Sequence, residues 1–259
     1  MRMRPLPCFV MTMALLSQNI AAHAQSQPRP LKIEPDRRDF TLGTGIVPPG
    51  HIQIESGVTG SRRGTSRENS YGELTVRVPV SERFEVRVEV PSFLVVRDDT
   101  GRGSGADDTL LRTRLRLSAP PRWAFAITAD VRVPTGSRPV AERRWQGGAT
   151  FAANATLAKC AELLFNLGAM RLSDDGEYFD QGTVSMAFRY ELSSRFDTFA
   201  EIYAMSRMEA GGDSQKFAAT GLVYYPVPRV AFDARLGTGV SNDAGSPDYF
   251  GSAGLSVLF

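Results

Sequence analysis

Cysteine and histidine are almost missing from this 259-residue chain, with two of each. Cys8 and His23 fall in an N-terminal stretch with the three parts of a secretory signal: Arg2 and Arg4, an apolar run over residues 9–16, and Ala22-His23-Ala24 as a small-x-small cleavage site. Residues 1–24 therefore read as a signal peptide, with Gln25 opening the mature chain. Cys8 precedes the apolar run and so is not a lipoprotein cysteine. The mature chain keeps only Cys160 and His51, which excludes an intrachain disulfide framework and a histidine-rich metal site. Charge of one sign is also lacking. The formal charge of +2 falls to zero once Arg2 and Arg4 leave with the signal, so no nucleic acid is expected as a partner. Long apolar runs are absent too: residues 9–16 are too short for a membrane helix, and nothing later approaches the ~20 residues one needs. An exported chain without such a helix is either soluble or a barrel.

What the chain does have is alternation. Between residues 71 and 90, Leu74, Val76, Val78 and Val80 alternate with Glu73, Thr75, Arg77 and Pro79. After a short polar break, Phe84, Val86, Val88 and Val90 alternate with Glu85, Arg87 and Glu89. A period of two places successive side chains on opposite faces of a strand, and two such runs around a short break read as a hairpin. The same pattern runs from His51 to Phe259 in about twelve strands. Breaks alternate in length: short near 80–83, 118–122, 158–160, 192–195 and 226–229, long near 61–70, 97–108, 134–147, 172–181, 207–215 and 241–248. Gly101, Gly103 and Gly105 are assigned to one of the long loops. Short and long connections in turn, apolar side chains on one parity and charge on the other predict an all-β fold: a single closed antiparallel transmembrane β-barrel of about 12 strands. Residues 25–49, rich in proline and charge, form an N-terminal periplasmic arm or partial plug, and residues 50–259 form the barrel. Aromatics on the outward parity beside strand ends, among them Phe84, Trp123, Trp145, Tyr190, Phe196, Tyr225, Tyr249 and Phe259, are expected as interfacial girdles. In the tenth strand Phe217, Val223 and Tyr225 are assigned outward and Thr220 inward.

By this parity the lumen of the first strands holds Glu73, Arg77, Glu85, Arg87, Glu89, Arg112, Arg114, Arg116, Asp130 and Arg132. Cross-strand pairing among these groups is the expected arrangement. Six arginines against four carboxylates would give an open lumen a slight anion preference. The facing wall is milder, with Thr150, Asn154, Thr156, Ser185, Thr220, Ser252 and Ser256 inward. In the first hairpin, attraction between Arg77 and Glu85 predicts that these two residues sit directly opposite each other. His51 lacks a neighbouring nucleophile motif and reads as a turn residue. Asp98-Asp99, Asp107-Asp108 and Asp174-Asp175 are solvated loop pairs, with cation binding as the minor alternative. No cofactor, metal site or catalytic residue is expected.

The last strand, ending in Phe259, resembles the C-terminal signal read by the barrel-assembly machinery of the bacterial outer membrane. The run Asp36-Arg37-Arg38-Asp39-Phe40-Thr41, followed by Val47-Pro48-Pro49-Gly50 and then Gln53, Glu55 and Gly57, resembles the opening of the meta-pathway phenol-degradation family of transporter-like outer-membrane β-barrels. Arg38 stands where that family commonly has proline. The resemblance covers about twenty residues; it implies a barrel with a transport role and no defined substrate. The expectation is an outer-membrane, porin-like channel for passive passage of small molecules, with outer-membrane lipid, the assembly machinery and a small-molecule solute as partners. The alternative is a closed barrel with a structural or adhesive role through its loops. An enzyme is disfavoured by the shortage of histidine.

Overall fold

The computed structural model describes residues 31–37, 39–99, 101–118, 122–138, 140–240 and 247–259. The expected signal peptide and the first residues of the arm lie outside the described residues. The chain divides into one unit up to Lys32 and a second from Ile33 to Phe259. All that follows concerns the second.

Fourteen strands build one sheet: β1 (Gln53–Arg63), β2 (Ser66–Pro79), β3 (Phe84–Val90), β4 (Phe93–Asp98), β5 (Gly101–Ala106), β6 (Thr109–Ser118), β7 (Trp123–Val133), β8 (Gln146–Ala158), β9 (Ala161–Asp174), β10 (Glu177–Ser193), β11 (Phe196–Met205), β12 (Gln215–Val227), β13 (Val230–Gly239) and β14 (Tyr249–Leu258). β2 pairs with β3 through its second half and with β4 through its first, while β3 pairs β6 and β4 pairs β5. β3 with β4, and β5 with β6, are thus single crossings, broken at Pro91-Ser92 and Asp107-Asp108. The barrel therefore has twelve crossings, all antiparallel. β1 pairs with both β2 and β14, so the sheet closes. The seam extends past β14, because Ile52 and Phe259 exchange backbone hydrogen bonds of 3.3 and 2.9 Å. Phe259 projects outward, 63% exposed.

The exterior is apolar and the interior charged. Leu111, Leu115, Ile127, Val131, Phe165 and Phe188 are exposed, while Glu55, Arg77, Glu85, Arg87 and Arg114 are 0–2% exposed. Water would favour the reverse; a bilayer favours this arrangement, and closure leaves no strand edge unpaired in lipid.

Several expectations are corrected. The breaks near 61–70 and 172–181 are tight turns at Gly64-Thr65 and Asp175-Gly176, with the flanking strands paired up to them. Gly64, Asp175 and Gly176 take positive φ there. Gly101, Gly103 and Gly105 belong to β5, paired with β4. Strand ends that rise beyond the bilayer are wetted on both faces, so their sequence carries no alternation to read. On β2 the inward parity switches from Ser70 to Glu73, because Gly72, at φ 69°, forms a bulge.

The first hairpin takes the other register. Arg77 lies opposite Arg87, and Pro79 opposite Glu85. The turn sets it: Val80 and Ser81 both donate to the Phe84 carbonyl, and the Ser81 hydroxyl accepts from the backbone N–H of Arg83 and Phe84. Charge then adapts to the turn, with Glu85 reaching diagonally to Arg77 at 3.1 Å and along its own strand to Arg87.

Candidate functional site in the barrel interior

The ten residues singled out in sequence all find polar partners. Arg112 makes a fork with Asp130 at 2.7 and 2.9 Å and pairs with Glu89 at 3.0 Å. Arg77 pairs with Glu55 of β1 at 3.0 Å as well as with Glu85. Arg132 pairs with Asp107 at 3.1 Å, and Glu73 accepts from Arg37 at 2.9 Å. Arg87 and Arg114 converge on Asp36, Arg114 at 2.7 Å. Arg116 departs from the expected carboxylate pairing and donates to the Glu82 carbonyl at 2.6 Å.

Sequence reasoning took the missing carboxylates to come from other strands. Asp36, which serves both Arg87 and Arg114, comes instead from the segment before β1. Its backbone is held by carboxylates of the wall: Asp36 and Arg37 donate N–H to Glu55 at 3.0 Å, Phe40 and Thr41 to Glu201 at 2.9 and 3.1 Å, and Val47 to Glu85 at 2.7 Å. Asn166 of β9 clasps Leu42 through both its N–H and its C=O, at 2.6 and 3.0 Å. Its own charges reach back. Asp39 pairs with Arg189 at 2.8 Å, and Arg37 with Asp233 at 2.7 Å. Gly57 and Gly254 face each other across the seam, and a Cβ on either would collide with the Arg37 guanidinium. These partners stand on β1, β2, β3, β6, β9, β10, β11 and β13. A chain can touch all of them at once only by running through the interior.

Burial raises the Asp36 carboxyl, but Arg114, Arg87 and Arg77 outweigh it and hold the group well below the usual carboxylate range. Asp36 is thus a fixed negative charge in a cluster of guanidiniums.

The second wall differs from expectation. Phe217, Val223 and Tyr225 point inward and are 0–3% exposed, while Thr220, Leu222 and Tyr224 face out. Thr220 satisfies its hydroxyl on the Phe199 carbonyl at 2.7 Å, which lets it face an apolar medium. Tyr225 donates its hydroxyl to Asp197 at 2.8 Å instead of joining a girdle. Phe40 stacks on Tyr203 at 4.2 Å, Tyr203 on Phe217 at 4.6 Å, and Phe250 packs edge-on against both. Arg235 lies over Tyr203 and Phe250 and pairs with Glu201 at 2.7 Å. The wall is therefore aromatic as well as small and polar. Both parities of β12 are largely apolar, so alternation alone could not choose between them; the inward one is the parity whose Phe217 stacks on Tyr203 of β11, which in turn stacks on Phe40.

Above the segment a cavity of about 590 Å³ extends towards the end of the barrel opposite Phe259. Its lining includes eight carboxylates against four arginines, the reverse of the excess expected from the first strands. Among the described residues no group of three histidine, cysteine, aspartate or glutamate side chains is arranged for a metal. The loop aspartates have other partners: Asp108 accepts from the Gly136 N–H and Asp174 from that of Ala210. His51 lies at the opposite end, its Nδ1 3.3 Å from the Pro49 carbonyl and its Nε2 3.5 Å from Arg229.

Solved structures with this fold include an outer membrane channel from Pseudomonas putida F1, at 12% identity and a TM-score of 0.66, covering 90% of this chain and 99% of that one. The KdgM porin, solved with disordered oligogalacturonate, matches at 8% identity and a TM-score of 0.53, covering 81% of this chain and 99% of its own. The NanC porin matches at 12% and 0.52, covering 80% and 98%. At these identities the likeness is one of fold. No curated protein matches the sequence. The family model described as "Putative MetA-pathway of phenol degradation" matches residues 35–259, beginning inside the segment that crosses the lumen, and the chain belongs to that family.

Proposed function

We propose that this protein is a bacterial outer-membrane channel for passive passage of small solutes, with the segment ahead of β1 acting as a partial plug. The observation that carries the reading is the way segment and wall complete each other. Arg87 and Arg114 need Asp36, Glu55 and Glu201 bind the segment's N–H groups, and the cavity lies directly above it. A barrel that only anchored surface loops would be better filled by apolar side chains, since burying paired charge brings little net stability. The residues proposed as lumen-lining are the ten named from the sequence, joined by Asp36, Arg37, Asp39, Glu55, Glu201 and Arg235. The chain is read as a conduit rather than an enzyme. His51, the one histidine after the signal, bonds to a turn carbonyl at the far end from the cavity. The outer-membrane channel from Pseudomonas putida F1 and the two porins support the assignment by shared fold. The C-terminal strand ending at Phe259 is proposed as the element the barrel-assembly machinery reads.

The test is conductance of the purified protein in planar bilayers. Discrete steps are expected from the wild type, and larger or more frequent ones from Asp36→Asn/Asp39→Asn, which weakens the latch. A folded barrel that stays silent in both forms would overturn the channel reading in favour of a structural role.

A further inference from the structure

A row of arginines crosses four neighbouring strands near the end of the barrel opposite Phe259. Arg62 of β1 lies opposite Arg67 of β2, Arg67 opposite Arg97 of β4, and Arg97 opposite Arg102 of β5. On β14, Tyr249 extends the row beside Arg62. Residues directly opposite in an antiparallel sheet project from the same face. That face is the outer one. On β2, Glu68 and Ser70 line the cavity, so Arg67 points the other way, with Tyr71. Tyr71 lies opposite Phe93, and the two are 49% and 52% exposed.

Three successive like-charge pairs destabilise a sheet unless something anionic neutralises them. Among the described residues Arg67, Arg97 and Arg102 make no ion pair, and the Arg62 Nε donates to the Gly64 carbonyl. Carboxylates at the adjoining turns accept from backbone and hydroxyl groups: Asp98 from the Gly101 N–H, Asp99 from the Thr65 hydroxyl, and Asp248 from the Gly64 N–H. The outer face across the barrel is built differently. There Arg171 of β9 is paired with Asp180 of β10 at 3.0 Å.

We propose that the Arg62–Arg67–Arg97–Arg102 row is a docking site for the phosphorylated glycolipid of the outer leaflet, bound through its headgroup phosphates. Tyr71 and Phe93 mark the headgroup boundary, where interfacial aromatics sit. Arg67 and Arg97 stand four residues further along their strands, about 13 Å at the usual rise, which places them in the sugar-phosphate layer. Four arginines on adjacent strands span about 14 Å, enough to engage two phosphates of one headgroup, and a guanidinium fork matches phosphate geometry. The proposal requires only that the barrel sits in the outer membrane; it is independent of whether the lumen conducts.

The experiment measures binding of the purified, refolded protein to detergent micelles carrying bis-phosphorylated lipid A. Wild type is expected to bind it at least tenfold more tightly than dephosphorylated lipid A, with affinity falling as salt rises. Arg67→Glu/Arg97→Glu should lose at least tenfold, while Arg67→Lys/Arg97→Lys loses less and Arg171→Ala leaves binding unchanged. The altered side chains are exposed, and heat-modifiable gel mobility reports barrel folding. If the double glutamate variant does not fold, Arg67→Gln/Arg97→Gln carries the same expectation. Equal affinity for the two lipids, no salt dependence, or full displacement by equimolar inorganic phosphate would overturn the proposal.

Discussion

Asp36 shows how much one side chain can decide in a closed lumen. It answers two arginines at once, and among the described residues it is the one ion-pair partner of Arg114. Removing one member of a buried ionic cluster leaves the remaining charges unpaired, at a cost of about 3–5 kcal/mol. Asp36→Asn should therefore release the segment, read as faster proteolysis ahead of β1 while the barrel keeps its heat-modifiable mobility. Acid should be a poor substitute for the mutation. A carboxyl depressed in the folded state stabilises docking above its unfolded pKa, and that contribution is lost only as pH falls through the lower, folded value. The Asp36 contribution to docking should thus persist at pH 5, so that Asp36→Asn still speeds proteolysis relative to wild type at that pH. Glu85 plays a comparable part between Arg77 and Arg87, which the turn forces opposite each other. Glu85→Gln should lower the thermal midpoint of the barrel by more than Glu82→Gln, whose side chain sits in an exposed turn.

At the level of elements, β12 separates what alternation can read from what it cannot. Where charge occupies one parity, as on β2, β3 and β6, the outward set was legible from the sequence. On β12 both parities carry aromatic and aliphatic side chains, and Thr220 pointed the wrong way because its hydroxyl is satisfied by its neighbour's carbonyl. Leu222 is 43% exposed and Val223 fully buried, so the two can be tested against each other. In a Cys160→Ser background, a spin label at Leu222→Cys should be relaxed by oxygen dissolved in the bilayer, and one at Val223→Cys should not. The reverse pattern would restore the parity first assigned. Arginine at Leu222 should cost about 2–4 kcal/mol if the residue faces the bilayer near its midplane. Strand length was underestimated for a related reason. The tips of β1, β2, β9 and β10 continue to pair where polar residues occupy both faces, and only backbone hydrogen bonding reveals them.

For the whole molecule, the closed sheet, the transverse segment and the cavity act together. The cavity has eight carboxylates against four arginines, so its field should attract cations. In a potassium chloride gradient the reversal potential of the open channel should report cation preference. Anion preference would mean that the arginines of the first wall, not the cavity, control passage. Closure gives a further expectation. Phe259 exchanges both backbone hydrogen bonds with Ile52, and its side chain lies on the outer face. If the assembly machinery reads the terminal strand as proposed, deleting Phe259 should lower the yield of assembled barrel in cells more than it lowers the stability of protein refolded in detergent.

The sequence by itself determined the number of crossings, the apolar exterior and the charge of the first wall, because a period of two and an inverted polarity are local properties of each strand. It also supplied the Asp36–Thr41 element, but only as a resemblance. The tertiary structure alone decided that this element threads the lumen, that Glu55 and Asp36 balance the arginines, and which way β12 faces. It also decided the hairpin register and the alignment of four arginines on the outer face. Each of these depends on which strand lies next to which, or on what fills the space between walls. In a closed barrel those relations are set by turn geometry, bulges and closure together, and no single strand carries them in its own pattern.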